Sequence, residues 1–189
     1  MKNNLFKFII PGVLIAAVFV AAAFFIYYLK AEPSTNIPIT NYSMKLTSPS
    51  FNQNDKIPST YTCDGRDISP PLHIDGVPAA SKSLVLIVDD PDAPVGDWVH
   101  WLIWNIKPGT GEIAENSVPD GSVQGTTDFG KPGWGGPCPP SGVHHYQFKL
   151  YALDALLNLP ASAKKAELEK AMSAHTLDST MLVGQYQRK

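Results

Sequence analysis

Two cysteines, Cys63 and Cys138, are all that this chain of 189 residues contains. That excludes a small scaffold held together by many disulfides. It also excludes a structural zinc site built from cysteine alone, since no C-x2-C pair exists and histidines would have to supply the rest. Charge is scarce as well, at 17% of residues, and basic side chains nowhere cluster. Beyond residue 30 the chain carries 12 basic against 17 acidic side chains, because Lys2, Lys7 and Lys30 come no later than that point and no acidic residue does. An acidic body without a basic stripe argues against nucleic acid as a partner. Soluble helix is the third shortage. Only Ala163–Ser173, rich in Ala, Leu, Glu and Lys, reads as one, with Ser162 as its candidate cap. No internal repeat and no low-complexity tract is present.

What the chain has instead is apolar residues, 44% of the total, enough for a proper core. One run stands apart. Phe8 to Leu29 holds no charge, and as a helix its 22 residues span about 33 Å, enough to cross a bilayer. Two readings compete: an uncleaved membrane anchor over residues 1–30, or a cleaved signal peptide. The length of the run and its aromatic end, Phe24, Phe25, Tyr27 and Tyr28, favour the anchor. Lys2 and Lys7 ahead of it favour the N-terminus inside and the rest of the chain outside, periplasmic or on the cell surface, or secreted if the segment is cleaved. Residues 31–43, polar and proline-containing, read as a linker, and residues 44–189 as the domain. Outside the cytoplasm the pair Cys63 and Cys138 is expected to form a disulfide.

Within the domain the signals are those of strands. Ser83–Asp89 is a nearly continuous apolar run, as expected for a central strand buried on both faces. Val99–Ile106 is the next, with His100, Leu102 and Trp104 expected on one face. Met44–Thr47, Leu72–Ile74 and Met181–Gln187 are shorter candidates, while Ser48–Pro71 and Glu112–Gln124 carry turn residues and little periodicity. Few helices and several strands between long loops predict a mostly β domain.

The chemistry gathers around Gly125–Asp154. Gly130, Gly133, Gly135, Gly136 and Gly142 alternate with Pro132, Pro137, Pro139 and Pro140, which predicts a shaped, stiff loop whose glycines present backbone donors. A strand follows, and its alternation puts His144, Tyr146, Phe148 and Leu150 on the inward face. In the acidic turn holding Asp89, Asp90, Asp92 and Asp97, Asp90 continues the inward stripe of Leu84, Leu86 and Val88. An inward carboxylate needs a partner. Asp90 could orient one imidazole of His100 and His144 and favour its charged form, so that these residues and the Tyr146 hydroxyl hold an anion such as a phosphate ester. A hydrolase using Ser141, or a metal held by Asp90, Asp92, His100 and His144, is the enzymatic alternative. Neither a G-x-S-x-G elbow nor a helical metal-ligand spacing supports it.

DPDAP at 90–94, HWLIWN at 100–105 and GPCPPSGVHHY at 136–146, with CDG at 63–65, ISPPL at 68–72 and TDFG at 127–130, resemble the signature regions of the phosphatidylethanolamine-binding proteins, in the bacterial and archaeal Raf-kinase-inhibitor-like branch. The resemblance implies a large antiparallel sheet packed on a smaller one, and a small pocket for phosphate or a phospholipid head group. It carries Asp90, Pro94, Trp98 and His100 from the first region, and Gly136, Pro139, His144 and Tyr146 from the second. Asp92 joins them from the acidic turn. It also implies a binding or inhibitory module without cofactor or catalytic residue, acting on a protein partner, by surface contact in the kinase or protease inhibitors. The apolar run at 8–29 lies outside the resemblance and points away from a cytosolic kinase.

Overall fold

The computed structural model describes residues 43–188. The apolar run at 8–29 and the linker lie outside the described residues. Among the described residues no helix is long and apolar enough to cross a membrane.

Two antiparallel sheets make the domain. The larger has the order β6-β4-β3-β7-β8, from Val123–Gln124, Trp98–Ile106, Ser83–Asp90, His144–Leu153 and Thr176–Tyr186. The smaller is β1-β2-β5, from Lys45–Thr47, Leu72–Asp75 and Glu112–Ile113. Among the described residues one α-helix, α1 (Lys165–Met172), completes the fold. Ser162 is not its cap. Glu167 reaches back to the N–H of Lys164 at 2.6 Å and satisfies a donor that the first turn leaves open.

The strand β3 is buried along its whole length because the large sheet is covered on both faces. Leu84, Leu86 and Val88 join Phe148, Leu150, Leu46, Leu72 and Ile74 between the sheets. Val85 and Ile87 face the other way, onto Leu153, Leu157, Leu168 and Met172, where α1 lies. Two-sided burial removes the polar alternation of a half-exposed strand, which is why the sequence there reads as an unbroken apolar run.

β4 departs from the expected alternation. Val88 pairs with Trp101, and Asp89 with Val99, so one step along β3 spans two along β4. His100 is the extra residue, the signature of a β-bulge. The bulge resets the faces. Leu102 and Trp104 pack on the α1 side with Val99, whereas the His100 ring lies edge-on to Tyr146, 5.1 Å between centroids. His100 therefore does not share the face of Leu102 and Trp104. A second irregularity follows at Asn105, whose φ of 59° suits an asparagine. Its amide grips Leu157 through N–H and carbonyl at 2.8 and 2.9 Å.

β3 ends on two carboxylates that point to opposite faces. Asp89, fully buried, accepts from Lys149 at 2.8 Å and from Lys165 at 2.6 Å. Lys165 also bonds Asp97. Burial works against the Lys165 charge, but the bonds to Asp89 and Asp97 outweigh it and hold the ammonium above its ordinary range. Lys165→Met removes one of two cations from a buried carboxylate. Because Lys149 remains, a loss of about 2 kcal/mol is expected, below the ~3–5 kcal/mol for a wholly orphaned charge. A smaller fall in the urea midpoint than that of an exposed-lysine control such as Lys131→Met would refute this.

Candidate functional site

The end of β3, the bulge of β4 and the start of β7 meet beneath the Gly/Pro loop, and a cavity of about 220 Å³ opens there. Asp90, His100 and His144 line it, only 3%, 3% and 6% exposed. The walls are apolar: Ala93, Pro94, Val95 and Trp98 on one side, Phe129, Pro139 and Pro140 on the other, with Cys138 among them.

Each histidine is fixed through Nδ1. The Nδ1 of His144 lies 2.7 Å from the Asp90 carboxylate, the second oxygen of which accepts the Asp92 N–H at 2.9 Å. The Nδ1 of His100 lies 2.5 Å from the carbonyl of Gly135, which requires the proton on Nδ1. The Gly135 N–H returns a bond to the His100 carbonyl at 3.1 Å. Nε2 is then the nitrogen that each ring leaves for a ligand. Burial, the largest influence, pushes the imidazolium of His100 below its ordinary range, opposed by Gly135 and by the charge of Asp90. Tyr146 is 1% exposed and its hydroxyl makes no hydrogen bond of normal geometry. Burial first, then the Asp90 charge, pushes its ionisation far above the usual phenol range, so the hydroxyl keeps its proton.

The surrounding loops are tied down by Asp128, Trp134 and Asp67, which the sequence reading did not single out, and by the disulfide that it expected. Asp128 accepts the Val99 N–H at 2.7 Å and gives its own N–H to the Val99 carbonyl at 3.2 Å. That seats the ring of Phe129 edge-on to both His100 and Trp98, at 5.4 and 5.6 Å. Trp134 inserts into the core, stacked on Phe148 at 6.0 Å. Asp67, at a φ of 55°, accepts the Gly136 N–H at 2.7 Å. Cys63 and Cys138 are joined as a disulfide beside it.

The sequence profile of the phosphatidylethanolamine-binding proteins matches residues 47–187. The chain belongs to the phosphatidylethanolamine-binding protein family. A UPF0098 protein of Methanothermobacter thermautotrophicus is 53% identical over 150 residues, which cover 77% of this chain and 99% of the relative. A UPF0098 protein of Pyrococcus horikoshii is 53% identical over 156 residues, covering 78% of each. Among solved structures, a phosphatidylethanolamine-binding protein homologue of Chlamydia trachomatis superposes with a TM-score of 0.76 at 40% identity, over 78% of this chain and 99% of that one. YbcL of Escherichia coli, described as a member of the mammalian family, gives 0.74 at 31% identity, again over 78% and 99%. These relatives place it in the bacterial and archaeal branch.

Of the expected ligand-binding set, this family member puts Asp90, Pro94, Trp98, His100, Pro139 and His144 on the cavity wall. The other three stand outside it. Asp92 binds His145, accepting from its N–H at 2.8 Å and pairing with its ring at 2.7 Å, and that bond first of all holds the Asp92 carboxyl below its usual range. Tyr146 packs on His100. Gly136 shapes the loop, but its N–H is spent on Asp67 and that of Gly135 on His100, so neither glycine presents a free donor to an anion. Ser141 is exposed and off the wall. Among the described residues no three His, Cys, Asp or Glu side chains converge as metal ligands. Ala93, Val95, Phe129, Cys138 and Pro140 are wall residues the reading missed. The TDFG segment was the available signal for Phe129.

Proposed function

We propose that this protein is a non-enzymatic binding protein, anchored to a membrane through residues 8–29 with its domain extracytoplasmic, whose pocket holds the phosphate of a small molecule or of a phospholipid head group. The carrying observation is the pair of buried imidazoles with Nδ1 engaged and Nε2 open on one cavity. Asp90 holds the His144 ring by Nδ1 and so fixes the direction in which Nε2 meets an arriving anion. The apolar wall lowers the local dielectric and strengthens such a charge-assisted bond. A volume of about 220 Å³ falls below the ~300–1,000 Å³ of drug-sized sites, so a head group fits and acyl chains stay outside. The disulfide suits an oxidising compartment and so supports the extracytoplasmic reading.

The test is a titration of the full-length, histidine-labelled protein in detergent with O-phosphoethanolamine and with inorganic phosphate. Resonances of His100 and His144 are expected to move at millimolar ligand while that of half-buried His175, remote from the cavity and paired with Asp154, does not. Unmoved resonances would sink the reading. The mass of the protein recovered from membranes tests whether residues 1–30 are retained.

The position of His100 gives the pH dependence its sign. A folded-state value below the ordinary ~6.5 means that the empty domain resists this proton. The stability it contributes is fully present above about pH 6.5 and is lost as pH falls through the depressed folded value. An anion at Nε2 reverses the preference, so binding is accompanied by proton uptake. Affinity for sulfate, which does not titrate here, is expected to rise from about pH 8 to about pH 6. Calorimetry in buffers of different ionisation enthalpy reads the uptake directly. A flat profile with no buffer dependence would be the contrary result.

A further inference from the structure

The wall of the pocket that carries Cys138 has a weakness in its hydrogen bonding. Pro137, Pro139 and Pro140 flank the cysteine and have no N–H to give, so backbone donors cannot lace this stretch to the sheet. Beyond the two-way bond of Gly135 with His100 at its start, its ties run to one neighbouring segment. The Cys63 N–H bonds the Pro137 carbonyl at 3.2 Å, Asp67 holds the Gly136 N–H, and the Cys63–Cys138 bridge joins the two segments covalently across 75 positions of sequence. The same run positions a pocket residue, because the Gly135 carbonyl fixes the His100 ring. Both cysteines are exposed, so the bridge is open to an attacking thiolate, and Cys138 is itself on the cavity wall.

We propose that this disulfide is a redox latch on the pocket: a dithiol reduces it, the wall from Gly135 to Pro140 loosens, and the hold on a phosphate-bearing ligand weakens. The inference rests on the phosphate reading of the site. In the reaction a thiolate of the dithiol attacks one bridge sulfur and expels the other as a thiolate. The second thiol of the reductant then resolves the mixed disulfide. Two electrons and two protons pass to the protein, leaving thiols at Cys63 and Cys138 and a disulfide on the reductant. Reciprocity follows, since a ligand that prefers the bridged form makes the bridge harder to reduce by the same factor. A tenfold preference corresponds to about 30 mV.

The experiment measures O-phosphoethanolamine affinity of the full-length protein by calorimetry before and after dithiothreitol. Reduction is expected to weaken binding about tenfold, and saturating ligand to lower the reduction potential by about 30 mV. The Cys63→Ser/Cys138→Ser variant is expected to bind as the reduced protein does and to ignore dithiothreitol. Hydrogen exchange supplies a readout that needs no ligand: on reduction the Gly135, Gly136 and Cys138 amides speed up while those of β3 do not. Equal affinity in both redox states, or unchanged exchange at those three amides, would overturn the latch. So would loss of sheet circular dichroism on reduction, since the bridge would then hold the whole fold and not the wall. If the oxidised protein binds neither phosphate nor O-phosphoethanolamine, the phosphate reading and the proposal as stated both fall. Faster exchange at the wall would then show only that the bridge orders the loop.

Discussion

Replacing Gly136 by alanine is expected to cost about 3 kcal/mol or more of stability and to empty the pocket of ligand. A Cβ at this position would lie 2.4 Å from the Asp67 carboxylate, 2.6 Å from the Tyr61 carbonyl and 2.9 Å from the Thr62 Cα. Two of these are backbone, which cannot step aside as the tip of a flexible side chain can. The segment 61–67 would have to retreat, taking Cys63 away from Cys138 and Asp67 away from the loop. Urea denaturation gives the stability loss, and titration with O-phosphoethanolamine the loss of binding. Gly109→Ala is the control, because nothing lies within 4 Å of the Cβ it would gain. A change within about 0.5 kcal/mol is expected there. Gly136→Ala behaving like that control would show that segment 61–67 and the loop can part without consequence.

The second large effect belongs to His144→Ala. Asp90 is 3% exposed, and the His144 ring is its side-chain partner at 2.7 Å. Removing the imidazole leaves a buried carboxylate facing an apolar cavity, an error worth about 3–5 kcal/mol at neutral pH. It also takes away one of the two groups proposed to hold the anion and leaves a negative charge in its place. Binding of O-phosphoethanolamine is expected to weaken about a hundredfold. The double variant Asp90→Asn/His144→Gln separates these effects. A neutral pair of similar size regains most of the stability in urea and none of the binding. Binding that returns with the neutral pair would mean that His144 acts through packing alone.

How much of this was legible in the sequence depends on what carries the signal. β3 and β7 could be read because a doubly buried strand and a one-sided strand leave different patterns of apolar residues. β5 and β6 are too short to show a period, and the first half of β8 is largely exposed and mixed in composition. The histidine and aspartate of the site were visible as polar interruptions of apolar stripes. The bulge at His100 was not, because nothing in VHWLIWN marks which residue is the extra one; its partner strand decides that. Two of the missed wall residues, Val95 and Phe129, lie on loops whose course is set by contacts remote in sequence, such as the bonds of Asp128 to Val99. The glycines were read as donors to a ligand because composition shows that a loop is bent, not what its N–H groups meet.

The two carboxylates that close β3 also bear on how the chain finds this structure. Asp89 meets lysines on the helix side, and Asp90 meets a histidine on the other. Had the strand paired with β7 one residue out of step, every side chain would change face. The apolar residues of β3 would tolerate that, since both faces are greasy and Leu and Val are nearly interchangeable there. The aspartates would not, for each would arrive where the other's partner stands. Adjacent charges with unlike counterparts thus work as a key for alignment, in a strand whose hydrophobic pattern cannot choose between its two sides.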